Sequence, residues 1–553
     1  MGGLNVKNCE ALEPRMTHIL ATRRGFLSRL GLVTGGAGLV TLAHGQSNQA
    51  GELASSRHVY EVTAFGARGD GKTLDTDAIN QAIAAAAAAG GGTVSFPAGT
   101  YLSYSIRLKS NVELHLGHGC TLVAAEGTGY DVAESNQPWE NYQDYGHNHW
   151  HNSLIWGEQL HDVAISGPGL IWGKGLSRGE GQLPQAETPG VGNKSIALKN
   201  CHNVVLRDFS ILRGGHFGIL ATGVDNLTID NLRIDTNRDG MDIDCCRNVR
   251  IARCSVNSPW DDAIVLKSSY ALGFARSTEM VTISDCFVTG GYELGTLLDG
   301  TFQRFDPNRK LASYEDLWRT GRIKCGTESN GGFKNITISN CVFDSCHGLA
   351  LESVDGAQLE DIAITNLTMR EIYDSPIFLR LGSRMRGPAG AAVGIIRRVL
   401  ISNVVCSNAT SPICSIITGI PGHRVEDVRL SNIVIEHKGG GTREQASIHV
   451  PEKEAEYPDP DMFGSMPAHG FFVRHVQGIE MEGIKIIAGK PDERPTFVLE
   501  DVKNADFTRP QVPVVAGVPI FALREVEDFR LRDSAHLPDM RLDRVAQKEI
   551  LPE

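Results

Sequence analysis

A short phrase recurs along this chain and restricts what it can fold into: an Asn, then an apolar/polar alternation ending on Ile or Leu. It reads Asn203-Val204-Val205-Leu206, Asn226-Leu227-Thr228-Ile229, Asn248-Val249-Arg250-Ile251 and Asn335-Ile336-Thr337-Ile338. Looser copies begin at Met280, Asp361, Arg398 and Asp427, and the first three copies step by 23 and 22 residues. A second Asn closes many of them, at Asn231, Asn340, Asn366, Asn403 and Asn432. Alternation over so few residues is the pattern of a half-buried strand. A strand period of about 20–25 residues leaves no room for long helices and points to a stacked coil. The expected fold is all-β: a right-handed parallel β-helix solenoid with an N-terminal capping helix and long loop insertions. A sandwich competes with it; a propeller, at roughly 40 residues or more per blade, fits poorly. In a coil the aligned Asn side chains would hydrogen-bond from rung to rung.

The ends and interruptions follow from the same period. Val59 to Phe65 reads as a strand, and Asp75-Thr76-Asp77 as the cap of an Ala-rich helix through Ala89, stopped by Gly90-Gly91-Gly92. Such a helix would cover the open sheet edge of the first coil. Residues 137–192, 301–319 (with Phe302, Phe305, Tyr314 and Trp318) and 452–466 break the rhythm and are expected to rim a cleft. The expected organisation is 1–45 an export signal, 46–56 a linker, 57–510 the catalytic β-helix, and 511–553 a C-terminal cap.

The signal reading rests on the twin arginine in Thr22-Arg23-Arg24-Gly25-Phe26-Leu27, the apolar run Leu30 to Leu42, and small residues at Ala43-His44-Gly45. The run is too short and Gly-rich for a comfortable membrane span. The chain is therefore expected in the periplasm or secreted, free of the membrane once the signal is removed, and monomeric. A net charge of −12 argues against nucleic acid and anionic membranes as partners. Of 12 cysteines, Cys254, Cys286 and Cys341 share one phase of the repeat and read as small core residues. No cysteine or histidine spacing signals a metal site, and no Gly-rich phosphate loop is present, so no cofactor and no metal are expected.

Against this period, acids fall in register. Asp239 and Asp262 lie 23 residues apart, and Asp261 flanks the second. Matching the strand that follows each turn puts Phe217, Asp239, Asp262, Tyr292, Gly321 and His347 in one column, with Asp242 and Lys324 three residues further along their strands. Three carboxyls this close cannot all ionise freely, so at least one is expected to keep its proton. A protonated acid beside carboxylates is what cleavage of a glycosidic bond requires. Turn-forming Asp residues or a Ca²⁺ site would give the same spacing.

These residues resemble glycoside hydrolase family 28, the polygalacturonase-like enzymes of the pectin-lyase-like β-helix superfamily. Asn237-Arg238-Asp239-Gly240 is similar to the family's Asn-Thr-Asp-Gly element, with Arg where Thr is usual. Asp261-Asp262 matches its Asp-Asp element and Arg322-Ile323-Lys324 its Arg-Ile-Lys element. Phe65-Gly66-Ala67, Gly69-Asp70-Gly71 and Asp75-Thr76-Asp77-Ala78-Ile79 resemble its N-terminal element, one shared among pectin-acting β-helices. The resemblance implies that Asp261 is the general acid, that Asp239 and Asp262 activate water, and that the reaction inverts configuration. Inversion rests on the resemblance, because carboxyls on neighbouring coils are expected closer than the usual gap of about 6.5–9.5 Å. Arg322 and Lys324 would bind the substrate, with Asn237, Asp242, Tyr292, Glu293 and His347 as further binding residues.

The family's Gly-His-Gly element is missing. By phase it falls at Gly291-Tyr292-Glu293, with His347 a candidate replacement. Glu293 would repel a uronate beside it, so a neutral sugar, and exo as well as endo action, stay open. The expected partner is a polysaccharide or oligosaccharide of pectic or related type. The alternatives are a β-helix polysaccharide lyase or epimerase, and a non-catalytic glycan-binding solenoid.

Overall fold

A computed structural model describes residues 58–178, 185–306 and 318–552. The proposed signal, the linker and Tyr314 lie outside the described residues. From Arg57 onward the chain is a parallel β-helix whose strands join one continuous sheet. Through most of the solenoid each strand pairs with the strand one coil away, and in the last coils, where one strand makes up most of a coil, that partner is also the next strand in sequence. Asp225–Asp230 thus lies between His202–Arg207 and Arg247–Ala252, in parallel register with both.

The interior is a set of apolar columns. On the sheet that carries the acids, Ile219, Met241, Ile264 and Ile323 follow one another in register, all fully buried. The Asn phrase marks a corner. Asn226 donates to Asn203 at 2.9 Å and accepts from Asn248 at 2.8 Å. A second ladder runs through Asn340, Asn366, Asn403 and Asn432. These residues sit at φ between 52° and 58°. Asn is the non-glycine side chain that best tolerates this left-handed conformation, and it satisfies the neighbouring rung as well. Asn226→Ala should therefore cost roughly 2 kcal/mol by urea denaturation, through lost ladder bonds and left-handed strain. Asn226→Gly, which keeps the backbone free, should cost less.

Several expectations need correction. Only Val59–Glu61 is strand at the N-terminus; Val62–Phe65 is a 3₁₀ turn. The capping helix spans Thr76–Ala88, but the Asp75 carboxylate makes no cap bond. It accepts instead from the backbone N–H groups of Arg68 and Gly69, tying down the preceding loop. Within 137–192, residues Ile155–Glu158, His161–Ser166 and Leu170–Trp172 form a regular coil, so the insertion is interrupted by a coil. The helix does not end at 510. Phe521–Arg532 adds a further parallel strand, and only Met540–Ile550 reverses, pairing antiparallel with it and closing that edge. The cysteines at one phase are core residues as expected, and every described cysteine is buried and unpaired. No helix among the described residues is long and apolar enough to cross a membrane.

Candidate active site

The acids meet on the outer face of the sheet formed by Asp239–Asp244, Ile264–Ser268, Ile323–Ser329 and Leu349–Ser353. Phe217 pairs with Asp239 in register, and the Gly240 N–H donates to the Asp262 carbonyl at 3.0 Å, fixing adjacent rungs. Asp239, Asp261 and Asp262 each present an oxygen within 4.8 Å of the others. The expected clustering is therefore present.

The environments of the three acids differ. Asp239 is almost entirely buried, and burial, reinforced by the Asp261 charge, raises its carboxyl well above the usual range despite Lys267 and Arg238. Asp261 keeps 25% of its side chain exposed. Burial alone would raise it too, but Arg238, Lys267 and Lys324 outweigh that and hold it below the usual range. Arg238 donates directly to Asp261 and lies 3.8 Å from Asp239. Asp262 is gripped by two cations: Arg322 Nε donates to it at 3.0 Å, and Lys324 Nζ stands 3.5 Å away.

One sequence expectation fails here for a topological reason. The strand of Asp262 pairs directly with the strand of Arg322, Ile264 opposite Ile323 and Val265 opposite Lys324. No rung lies between Asp-Asp and Arg-Ile-Lys, so Tyr292 is not in the column. The segment that carries it leaves the coil after Phe287–Thr289. The Tyr292 hydroxyl donates to Asp344 at 2.7 Å, and its ring lies against Arg304. The Glu293 N–H donates to the Gln303 carbonyl. His347 does join the column, one rung beyond Arg322, because Lys324 faces Ala350.

Two other expected binding residues are turned to internal use. Asp242 is fully buried, with its carboxylate 3.0 Å from His147 Nε2 and 3.6 Å from Lys267 Nζ. The Asn237 side chain donates to the Arg178 carbonyl, anchoring a loop. His347 Nε2 contacts the Trp318 carbonyl at 2.9 Å, and burial together with Arg322 lowers its pKa to about 4.

Other groups are brought in by chain segments whose sequence gives no hint of it. Lys267 lies between Asp242 and Glu328, 3.0 Å from the latter, and 2.8 Å from His147 Nε2. Lys324 also faces Glu352 at 3.4 Å and the Tyr457 hydroxyl at 3.4 Å. Arg322 faces Asp374 at 3.8 Å and Asp459 at 4.0 Å. His147 comes from the first insertion, Trp318 from the second, and Tyr457 and Asp459 from the third. The insertions thus wall the acid cluster, as their placement implied.

Known proteins show the same pattern. The rhamnogalacturonase A/epimerase, pectate lyase-like family model matches residues 59–157, and the right-handed β-helix region model matches residues 190–309. A probable polygalacturonase of Vitis vinifera is 23% identical over 406 residues, 68% of this chain and 74% of that protein. The chain is a parallel β-helix similar in sequence to polygalacturonases. An exo-poly-α-D-galacturonosidase of Dickeya chrysanthemi is 22% identical over 359 residues, 58% of this chain and 57% of that protein. The solved family 28 exopolygalacturonase of Yersinia enterocolitica superposes with a TM-score of 0.59 at 18% identity, covering 82% of this chain and 79% of that one. That likeness establishes the fold. The acids and their partners are read from this chain itself.

Proposed function

We propose that this protein is a glycoside hydrolase that cleaves α-glycosidic bonds in a pectic or related glycan, with Asp239, Asp261 and Asp262 as its catalytic residues. The observation that carries the reading is the cluster of three carboxyls, with Asp239 and Asp261 shifted in opposite directions, walled by loops. Splitting acid from base by environment is how such sites work. Asp261 is the most open of the three and faces the leaving oxygen. It donates a proton there as the bond to the anomeric carbon breaks. A carboxylate of the Asp239/Asp262 pair takes a proton from water, whose oxygen joins that carbon. Inversion rests on the family resemblance alone, since the carboxyl oxygens are closer than the usual inverting gap.

Arg238 complicates the donor role, because with Lys267 and Lys324 it holds the Asp261 carboxyl below the usual range, while burial raises that of Asp239. A bound substrate that draws Arg238 away lets Asp261 take up a proton. Arg238→Thr should therefore raise the Asp261 pKa and move the basic limb of the kcat/KM profile, which reports the free enzyme, to higher pH. An unmoved or lowered limb would count against Asp261 as the donor.

Arg322 and Lys324 are substrate-binding candidates only in part, since carboxylates of the chain already engage both. That arrangement weakens the pull on a uronate and keeps a neutral sugar in contention. The export reading places the protein in the periplasm or outside the cell. Release of reducing ends across a panel of pectic and neutral plant glycans tests the hydrolase reading; failure on every member would count against it. A lyase or epimerase is the second reading, favoured by a 42-residue match at 67% identity to alginate lyase 7 of Azotobacter vinelandii, over 8% of this chain.

A further inference from the structure

Beside the three aspartates, on the far side of Arg322, lies a second cluster: His347, Asp374 and Asp459, with one ligand atom from each within 4.8 Å of the others. Its chemistry differs from that of the first. Asp374 is 2% exposed, yet neither of its carboxyl oxygens has a hydrogen-bond partner. A buried acid without a partner is costly when ionised, and either its own proton or a cation opposite it relieves that cost.

His347 is oriented for the same point. A carbonyl only accepts, so the 2.9 Å contact with the Trp318 carbonyl puts the ring proton on Nε2. Nδ1 then presents its lone pair, has no hydrogen-bond partner, and stands 3.6 Å from Asp374 Oδ2. A histidine whose second nitrogen donates to a backbone carbonyl is the arrangement found around bound metals. Asp459 supplies the third donor. Its Oδ1 accepts from the Asp461 N–H at 3.1 Å, leaving Oδ2 to face the cluster.

The nearest cation does not consume these donors. Arg322 is fixed by its Nε bond to Asp262, and its outer nitrogens stand 3.8 Å from Asp374 and 4.0 Å from Asp459, beyond hydrogen-bonding reach. Ligands bound to a divalent ion at about 2.0–2.2 Å stand roughly 3–4 Å from one another, and His347 Nδ1 and Asp374 Oδ2 are 3.6 Å apart.

We propose that His347, Asp374 and Asp459 form a binding site for a divalent first-row transition ion. One imidazole nitrogen with two carboxylates suits Zn²⁺ or Mn²⁺ better than Ca²⁺, which takes oxygen ligands. The open edge lies on the Asp459 side, whose side chain is 31% exposed. The site departs from the metal-free expectation of the sequence. Its histidine, turn aspartate and loop aspartate come from positions 347, 374 and 459, a spacing that no short motif describes.

The test is calorimetric titration of the metal-stripped full chain with Zn²⁺ in the absence of glycan, so that failure of the hydrolase reading leaves the outcome intact. Wild type and Asp261→Asn should each bind one equivalent, and Asp374→Asn and His347→Gln should bind at least about 10-fold more weakly. Co²⁺ added to wild type should give weak visible bands from nitrogen and oxygen ligands, a readout that needs no variant to fold. No saturable binding by wild type would overturn the proposal. So would loss in Asp261→Asn with none in Asp374→Asn, which would place the ion on the three aspartates. An intense thiolate charge-transfer band would also overturn it, by assigning the ion to cysteine.

Discussion

Asp261→Asn is expected to cut the rate of glycan hydrolysis by about 10²–10⁴-fold, the usual contribution of a positioned acid or base. The variant should fold as wild type, because Asp261 is the most exposed of the three acids and Asn keeps its shape. The loss should appear in kcat as well as in kcat/KM, since proton donation to the leaving oxygen is realised only in the transition state. Substrate affinity, measured by titration with the inactive variant, should persist. A variant that keeps wild-type turnover would remove Asp261 from the chemistry. It would leave Asp239, whose raised proton affinity makes it the other candidate donor.

The second large effect is on stability. Arg322→Ala should cost about 3–5 kcal/mol in chemical denaturation, because truncating one member of a buried ionic network strands its partners. Arg322 is 3% exposed, bonds Asp262, and faces Asp374 and Asp459. Arg322→Lys keeps the charge but not the planar fork, and should fall between the two. Wild-type stability in the alanine variant would mean that water or relaxation already compensates the acids.

The coil was legible because its signal is local and repeated. A residue at a left-handed corner, most often Asn, followed by an alternating strand, writes the same instruction coil after coil, 23 and 22 residues apart in the first three copies. The adjacency of Asp239 and Asp262 followed from that arithmetic. The arithmetic failed where the period broke. Between Asp262 and Arg322 the chain makes a single coil with a long excursion. Counting residues placed Tyr292 on a rung that does not exist. His347 was in the expected column, but its partners were not legible. Asp374 and Asp459 reach it from a turn and a loop that nothing in their local sequence ties to it. Lys267 was hidden for a different reason: it sits at a strand position opposite Asp244 with no motif around it, and only folding brings His147 and Glu328 to its ammonium.

Arg238 is the position where sequence and structure together say most. The sequence marks it as a departure from the resembled element, and the structure shows that the departure is aimed at Asp261. A hydroxyl-bearing side chain there would carry no charge, whereas the guanidinium lowers the proton affinity of the acid.

If the three aspartates add water across a glycosidic bond, the oxygen of that water ends on the anomeric carbon. The most direct test is to run the reaction in heavy-oxygen water and to analyse the products of wild type and Asp261→Asn by mass spectrometry and ultraviolet absorbance. The wild-type reaction should give one heavy oxygen at each newly formed reducing end and no ultraviolet-absorbing product, and the variant almost no label. Unlabelled, ultraviolet-absorbing unsaturated products would contradict hydrolysis and assign the chain to the lyases.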